Sequence, residues 1–189
     1  MNAERGVGFI VHPSSFILEM RIGVIADTHG MLHPGVADAF HGVDHIVHAG
    51  DIGGRHVIDA LQKIASVISV RGNNDNDDAD GEEIRRATID GLRILLTHIL
   101  PRPHQPAQRI VDSMRKLPAD IVIFGHSHLP HDEVITGVRF FNPASAGPRR
   151  FDYPVSVGIL ERKGGGWTSR HVPLDERSAD ALRKRMNQL

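Results

Sequence analysis

Short apolar runs that each lead into a polar residue constrain the fold of this chain most strongly. The runs are RIGVIA at 21–26, HIVH at 45–48, SVISV at 66–70, RILLT at 93–97 and DIVIF at 120–124. Their length and β-branched content are typical of strands buried on both faces. Segments with helical signals lie between them, at 34–40, 53–65 and 105–117. This alternation predicts strand–helix units with parallel strands.

Hairpins dominate the second half of the chain. Strands at 84–89 and 92–97 flank Asp90-Gly91, a strong two-residue turn signal. Two further pairs are predicted at 133–135 with 138–141 and at 154–160 with 167–172, and a charged amphipathic helix at 175–188 follows. Strand–helix units followed by hairpins predict an α/β fold with two packed mixed sheets and helices outside.

Composition narrows the classes of protein. The 189 residues carry a formal net charge of −1, which gives no basic footprint for an extended nucleic-acid surface. The chain has no cysteine, which excludes disulfides, thiolate zinc sites and a cysteine nucleophile and agrees with an expected cytoplasmic location. No apolar run is long enough to span a membrane. Thirteen histidines are the unusual feature, because histidine is the commonest metal ligand.

The first residues differ from the rest. Residues 1–19 contain a short apolar stretch that is broken by His12 and Pro13. We expect this segment to lie outside the fold, as a flexible tail or as the product of a misassigned start. The alternative is an extra edge strand at 7–11. Residues 20–189 are then expected to form one domain.

Seven polar side chains follow the predicted strands directly. They are Asp27, His29, Asp51, Asn73, His98, His126 and His128. Ligands of α/β sheets bind outside the carboxyl ends of the strands, so these groups are expected to converge. Seven oxygen and nitrogen ligands are too many for one tetrahedral zinc, but they suit two metals that share a carboxylate. Each motif alone has an ordinary explanation as a turn or helix cap; together they favour a metal site.

At these motifs the chain resembles the calcineurin-like metallophosphoesterases. It is most similar to the small type that includes bacterial and archaeal phosphodiesterases and the retromer subunit Vps29. The matching motifs are DTH at 27–29, GD at 50–51, GNND at 72–75, TH at 97–98 and GHSH at 125–128. NPAS at 142–145 resembles the NPGS-type segment of these proteins. The resemblance covers about residues 20 to 172 and implies a four-layer αββα sandwich.

The resemblance also implies a ligand set for two divalent metal ions. Asp27, His29 and His128 would hold the first ion; Asn73, His98 and His126 would hold the second. Asp51 would bridge them, and a bridging hydroxide would be the nucleophile. By resemblance Mn²⁺ is the expected metal, while nitrogen and oxygen ligands without sulfur also suit Ni²⁺, Fe²⁺ or Zn²⁺.

Two positions depart from the family pattern. Asn74 stands where many members have a histidine that helps to protonate the leaving group. An amide can contact a phosphoryl oxygen but cannot serve as a general acid, so we expect modest rates and a preference for activated esters. Ile99-Leu100 follows His98 where relatives often read HGH, which leaves the predicted ligand in place. Asp75 is expected to cap the next segment.

Other charged and imidazole groups near the motifs have open roles. His33, His45, His48 and His131 could orient ligands but are more often packing or surface residues. Three arginines, at 71, 149 and 150, could contact phosphate or be ordinary surface residues.

The sequence therefore predicts a metal-dependent phosphoesterase that acts on a small phosphoester, with phosphodiesters favoured. The alternatives are a phosphomonoesterase on the same site and a non-catalytic, metal-binding interaction scaffold of the Vps29 type. Short edge strands leave a homo-oligomer open. The natural substrate is not specified.

Overall fold

The computed structural model describes residues 19–76, 81–100 and 102–187. Its strands are β1 (Arg21–Ile25), β2 (His45–His48), β3 (Ser66–Ser69), β4 (Ile84–Ile89), β5 (Leu92–Thr97), β6 (Ile121–Ile123), β7 (Pro130–Ile135), β8 (Val138–Pro143), β9 (Ser156–Lys163) and β10 (Gly166–Pro173). Its helices are α1 (Gly35–Ala39), α2 (Arg55–Gln62), α3 (Gln108–Lys116) and α4 (Glu176–Met186). The predicted elements are therefore present, although the first three helices are shorter than their sequence patterns suggested.

The strands form two five-stranded sheets of mixed direction. The first sheet has the order β10-β9-β1-β2-β3, with β1, β2 and β3 parallel and β9 antiparallel to both of its neighbours. The second has the order β4-β5-β6-β8-β7, with β5, β6 and β8 parallel. The carboxyl ends of three parallel strands in each sheet are thus available to carry a site.

Alternating side chains on the strands divide the interior into three apolar layers. Ile94 and Leu96 of β5 face a core shared by both sheets, while Leu95 between them packs toward α3. The same alternation places Val47 in the shared core and Ile46 against α1 and α2. Helices thus cover the outer face of each sheet, which confirms the predicted αββα sandwich.

Close packing between the two sheets requires a small residue at Gly158. A Cβ on this residue would lie closer than 3.0 Å to the ring of Phe141 on the other sheet. Helix α4 contacts β10 and β7, an edge strand of each sheet.

The described part of the chain contains no helix that is long and apolar enough to cross a membrane. The predicted tail at 1–19, with its alternative strand at 7–11, lies outside the described residues except for Glu19.

Candidate metal centre

Loops at the carboxyl ends of β1 and β2 bring Asp27, His29 and Asp51 together. The amide of Asp27 donates to the Gly50 carbonyl at 3.0 Å, and that of His29 donates to the Asp51 carbonyl at 2.9 Å. The two loops are therefore held side by side by their own backbones. Asp27 and Asp51 are almost fully buried, at 0% and 2% exposure.

The GHSH segment at 125–128 joins this group from the second sheet. The Asp27 carboxylate accepts a hydrogen bond from the His126 amide at 3.1 Å, and its Oδ1 lies 3.3 Å from His128 Nε2. His128 Nε2 also lies 3.2 Å from His29 Nε2, with the two rings stacked. Ligand atoms of Asp27, His29 and His128 all lie within 4.8 Å of one another. This is the spacing that a shared cation would require.

A second group forms around His98. Its ligand atom lies within the same 4.8 Å limit of those of Asp27 and Asp51. His98 Nδ1 donates to the Ala49 carbonyl at 2.8 Å, so in the neutral ring Nε2 carries a lone pair. That nitrogen lies 3.1 Å from Asn73 Oδ1 and 3.3 Å from Asp51 Oδ1. Three electron-pair donors converging on one point fit a cation.

Asp51 belongs to the second group and also faces the first, while Asp27 is a member of both. Asp51 Oδ1 faces His98, and its Oδ2 lies 3.8 Å from His29 Nε2. Asn74 holds the carboxylate through its backbone amide, at 2.9 Å from Oδ1, and its side-chain amide, at 2.6 Å from Oδ2. Asn74 was predicted to contact the substrate phosphate; in this structure its side-chain amide donates to Asp51 instead.

Burial and neighbouring polar groups shift the pKa values of these residues in opposite directions. Burial favours a protonated Asp51, but hydrogen bonds from His98 and Asn74 outweigh it and hold the pKa of Asp51 well below its usual range. Burial opposes protonation of His98, yet its bond to Asp51 and the charge of Asp27 raise the pKa of His98. Burial lowers the pKa of His29, and the nearby Arg150 adds to this effect. The centre thus attracts positive charge at His98 and keeps the Asp51 carboxylate ionised.

His126 is less closely integrated than the other predicted ligands. Its side chain is exposed, and its ring packs edge-on against His98 with centroids 5.3 Å apart. Its ring nitrogens belong to neither of the two groups of converging atoms within the described residues. Asn73 and His98, its predicted partners at the second ion, are already in contact.

Small residues at the motifs let the loops approach each other. A Cβ on Gly72 would lie closer than 3.0 Å to the backbone and carboxylate of Asp51. A Cβ on Gly50 would be equally close to the ring of His98. These glycines leave the space in which the carboxylate and imidazole groups meet.

The NPAS segment supports the centre without contributing a ligand. The side-chain amide of Asn142 donates to the Gly125 carbonyl at 2.9 Å, and Ser145 Oγ donates to the Asp27 carbonyl at 3.0 Å. Both residues are buried. The sequence similarity at 142–145 singled out this segment but did not predict its role. The two hydrogen bonds join residues that are 17 and 118 positions apart, and a local motif does not specify such distant partners.

The other histidines have structural roles. His48 is fully buried, and its Nε2 donates to Thr28 Oγ at 2.9 Å, since that hydroxyl itself donates to the Ile52 carbonyl. His33 accepts from the Gly35 amide, His45 contacts Ser66, and His131 lies near Glu133. Of these four, only His48 packs directly behind the DTH loop.

Asp75 has a structural role, and the partners of its carboxylate precede it in the chain. Its two carboxylate oxygens accept from the amides of Gly53 and Gly72, each at 2.8 Å. It thus ties the GD loop to the GNND loop.

The three candidate arginines differ in their hydrogen-bond and ion-pair partners. Arg149 is engaged by the Tyr153 carbonyl, by Asp175 and by Ser178. Arg71 pairs with Glu83. Arg150 reaches the centre itself, with a guanidinium nitrogen 3.3 Å from His29 Nε2.

The chain belongs to the calcineurin-like phosphoesterases: the family described as the "Calcineurin-like phosphoesterase superfamily domain" matches residues 20–165. A protein of Methanocaldococcus jannaschii named "Probable metallophosphoesterase" is 32% identical over 145 residues, which are 71% of this chain and 73% of that protein. A phosphodiesterase of the same organism is 27% identical over 161 residues, covering 75% and 93%. Vacuolar Protein Sorting 29 (Vps29) of Cryptosporidium parvum has a similar structure, with a TM-score of 0.64 at 18% identity over 82% of this chain and 97% of its own. The resemblance inferred from the motifs is confirmed.

Proposed function

We propose that this chain is a phosphodiesterase with a dinuclear divalent-metal centre. Asp27, His29 and His128 would hold one ion, Asn73, His98 and His126 the other, and Asp51 would bridge them. The observation that carries the proposal is the position of the Asp51 carboxylate, with Oδ2 facing His29 and Oδ1 facing His98. A carboxylate that faces a histidine of each group is suited to bridging two cations.

Two bound ions would activate a shared hydroxide as nucleophile and neutralise charge on the phosphoryl oxygens. The protein groups would fix the geometry of this chemistry. Ala49 holds the His98 ring through Nδ1, which directs Nε2 into the centre. Asn74 orients the Asp51 carboxylate. Mn²⁺ is the proposed metal, with Ni²⁺, Fe²⁺ and Zn²⁺ as alternatives for the same nitrogen and oxygen ligands.

Asn74 also supports the expectation of an activated substrate. It cannot give a proton to the leaving group, so esters with acidic leaving groups should react fastest. A diester is favoured by the phosphodiesterase among the relatives, while a monoester on the same centre remains the alternative.

The experiment is hydrolysis of bis(p-nitrophenyl) phosphate and p-nitrophenyl phosphate by metal-stripped protein. Mn²⁺, Ni²⁺, Zn²⁺ or Mg²⁺ is added back singly, and Asn73→Ala is the matched variant. We expect Mn²⁺-dependent cleavage of the diester that Asn73→Ala loses. A faster monoester reaction would replace the diester assignment, and equal activity of Asn73→Ala would contradict the dinuclear centre.

The structural similarity to Vps29 favours a second candidate function, a metal-binding interaction scaffold. All seven predicted ligands are present in this chain, which a scaffold would not require. Two bound ions per chain without hydrolysis of either ester would favour the scaffold.

A further inference from the structure

We infer that Arg150 is a substrate-binding residue whose guanidinium takes a non-bridging oxygen of the substrate phosphate beside the first metal position. This inference rests on the proposed function and adds a residue to it. Arg150 is exposed, and within the described residues its side chain makes one hydrogen-bond-distance contact, to His29 Nε2 at 3.3 Å.

That contact is incompatible with metal ligation through the same nitrogen. A guanidinium can only donate, so it needs the lone pair of His29 Nε2. The same lone pair would serve the first ion, together with Asp27 and His128. Once an ion is bound, Arg150 therefore loses its acceptor and must find another.

The charge of the loaded centre indicates what that acceptor is. Two divalent ions exceed the charge of the two buried carboxylates, so the centre is cationic. A guanidinium beside it is repelled unless an anion lies between them. A phosphate oxygen can accept the hydrogen bond that Arg150 has lost, and its negative charge offsets the repulsion. Arginine matches phosphate both in charge and in the geometry of its donors.

The loop that carries Arg150 is held in place by its neighbour. Arg149 binds the Tyr153 carbonyl at 2.8 Å and the Asp175 carboxylate at 2.6 Å, and the Tyr153 amide donates to the Arg150 carbonyl at 3.1 Å. Phe151 has a φ of 52°, a conformation that a bulky side chain rarely adopts. A strained turn persists only where its surroundings fix it, so the Arg150 backbone is positioned while its side chain stays exposed.

Arg150 also supplies a positive charge near the substrate phosphate, which Asn74 does not. A histidine at position 74 could have carried positive charge toward the phosphate, whereas the amide of Asn74 is committed to Asp51. The guanidinium restores a cation at the rim, but it cannot transfer a proton at any working pH. Its contribution should therefore be independent of pH.

The test compares wild type with Arg150→Gln, Arg150→Lys and the control Arg183→Gln. Arg183 is an exposed arginine of α4 that pairs with Asp180. Calorimetry measures Mn²⁺ binding first and then binding of inorganic phosphate to the Mn²⁺-loaded protein; kinetics measure kcat/KM for bis(p-nitrophenyl) phosphate from pH 6 to 9.

We expect Arg150→Gln to weaken phosphate binding and to lower kcat/KM by about tenfold to a hundredfold, the value of a charge-assisted hydrogen bond. Arg150→Lys should recover part of the loss, since lysine keeps the positive charge but lacks the paired N–H donors of the guanidinium. Mn²⁺ affinity should not fall, because the substitution removes a positive charge that competes with the ion for His29. The ratio of the kcat/KM of wild type to that of Arg150→Gln should be constant across the pH range, and Arg183→Gln should match wild type.

Unchanged phosphate affinity in Arg150→Gln would overturn the inference. So would an equal loss of Mn²⁺ affinity, because Arg150 would then act by positioning His29. If phosphate binds with the expected dependence on Arg150 but no ester is hydrolysed, the phosphate contact of Arg150 stands and the proposed function fails. Absence of binding of Mn²⁺, Ni²⁺, Fe²⁺ and Zn²⁺ to the wild type would overturn both.

Discussion

At the scale of single residues, His48 makes folding stability depend on pH. Its buried ring donates to Thr28, and burial lowers the pKa of His48 from 6.5 to about 4. Above pH 6.5 this residue is neutral in both states and full stability is present. As the pH falls from 6.5 toward 4, the unfolded chain binds a proton that the folded chain does not, so stability is lost, by up to about 3 kcal/mol.

Urea unfolding of the metal-stripped protein at pH 7 and pH 4.5 measures this loss. Burial lowers the pKa of His171 as well, so the quantity to compare is the difference between wild type and His48→Gln. We expect the variant to lose less stability on acidification. Equal losses in the two proteins would show that His48 is not the responsible group.

The conformations of the predicted ligands could not be read from their identities. Asp27, His29 and Asp51 have φ values of 54°, 48° and 54°, and His126 and His128 have 69° and 57°. Local preference disfavours this left-handed region for all five. Backbone bonds to distant loops are formed in these conformations, as in the 3.0 Å bond from the Asp27 amide to Gly50. Residue type and order thus selected the candidate ligands, while contacts between distant segments decided their geometry.

At the scale of elements, helix α4 depends on a cap that also holds the loop before β9. Asp175 accepts from the Ser178 amide at 2.8 Å and from Arg149 at 2.6 Å. We expect Asp175→Ala to lower the free energy of unfolding by about 1–2 kcal/mol, because it removes the cap and a charged partner. Asp175→Asn should lose less, since asparagine also caps helices well.

Urea denaturation measures the series, with Asp180→Ala as the control on the same helix. Asp180 is exposed and forms an ion pair with the exposed Arg183, so its removal should change stability little. A loss in Asp175→Ala no larger than in Asp180→Ala would contradict the capping role.

Local signals predicted the elements better than their arrangement. The turn at Asp90-Gly91 lies where the sequence indicated, because a two-residue turn with positive φ favours such residues. The predicted hairpin of β7 and β8 is also present, although Thr136 in its turn is a β-branched residue with a φ of 48°. The pairing of β1 with β9 joins segments far apart along the chain, from the Arg21–Glu161 pair onward. No local pattern specifies that neighbour; it follows from the packing of the two sheets.

At the scale of the whole molecule, the candidate centre joins the two sheets through polar groups. The Asp27 carboxylate in the first sheet receives the His126 amide from the second, and the His98 ring bonds to Ala49 across the same boundary. Two buried carboxylates at this junction are costly to fold together without a counter-charge. Metal binding should therefore stabilise the fold as well as prepare the reaction.

Thermal unfolding with and without Mn²⁺ tests this coupling. Mn²⁺ at a hundredfold excess over its Kd should add about 2.7 kcal/mol for each ion, and a chain of this size gains about 2–4 °C per kcal/mol. Two ions should thus raise Tm by about 10 °C or more. His98→Ala should retain only the shift from the first ion, whereas His104→Ala, at an exposed histidine beside Glu133, should keep the full shift. A full shift in His98→Ala would mean that this residue holds no ion, which would contradict its place among the ligands of the second ion.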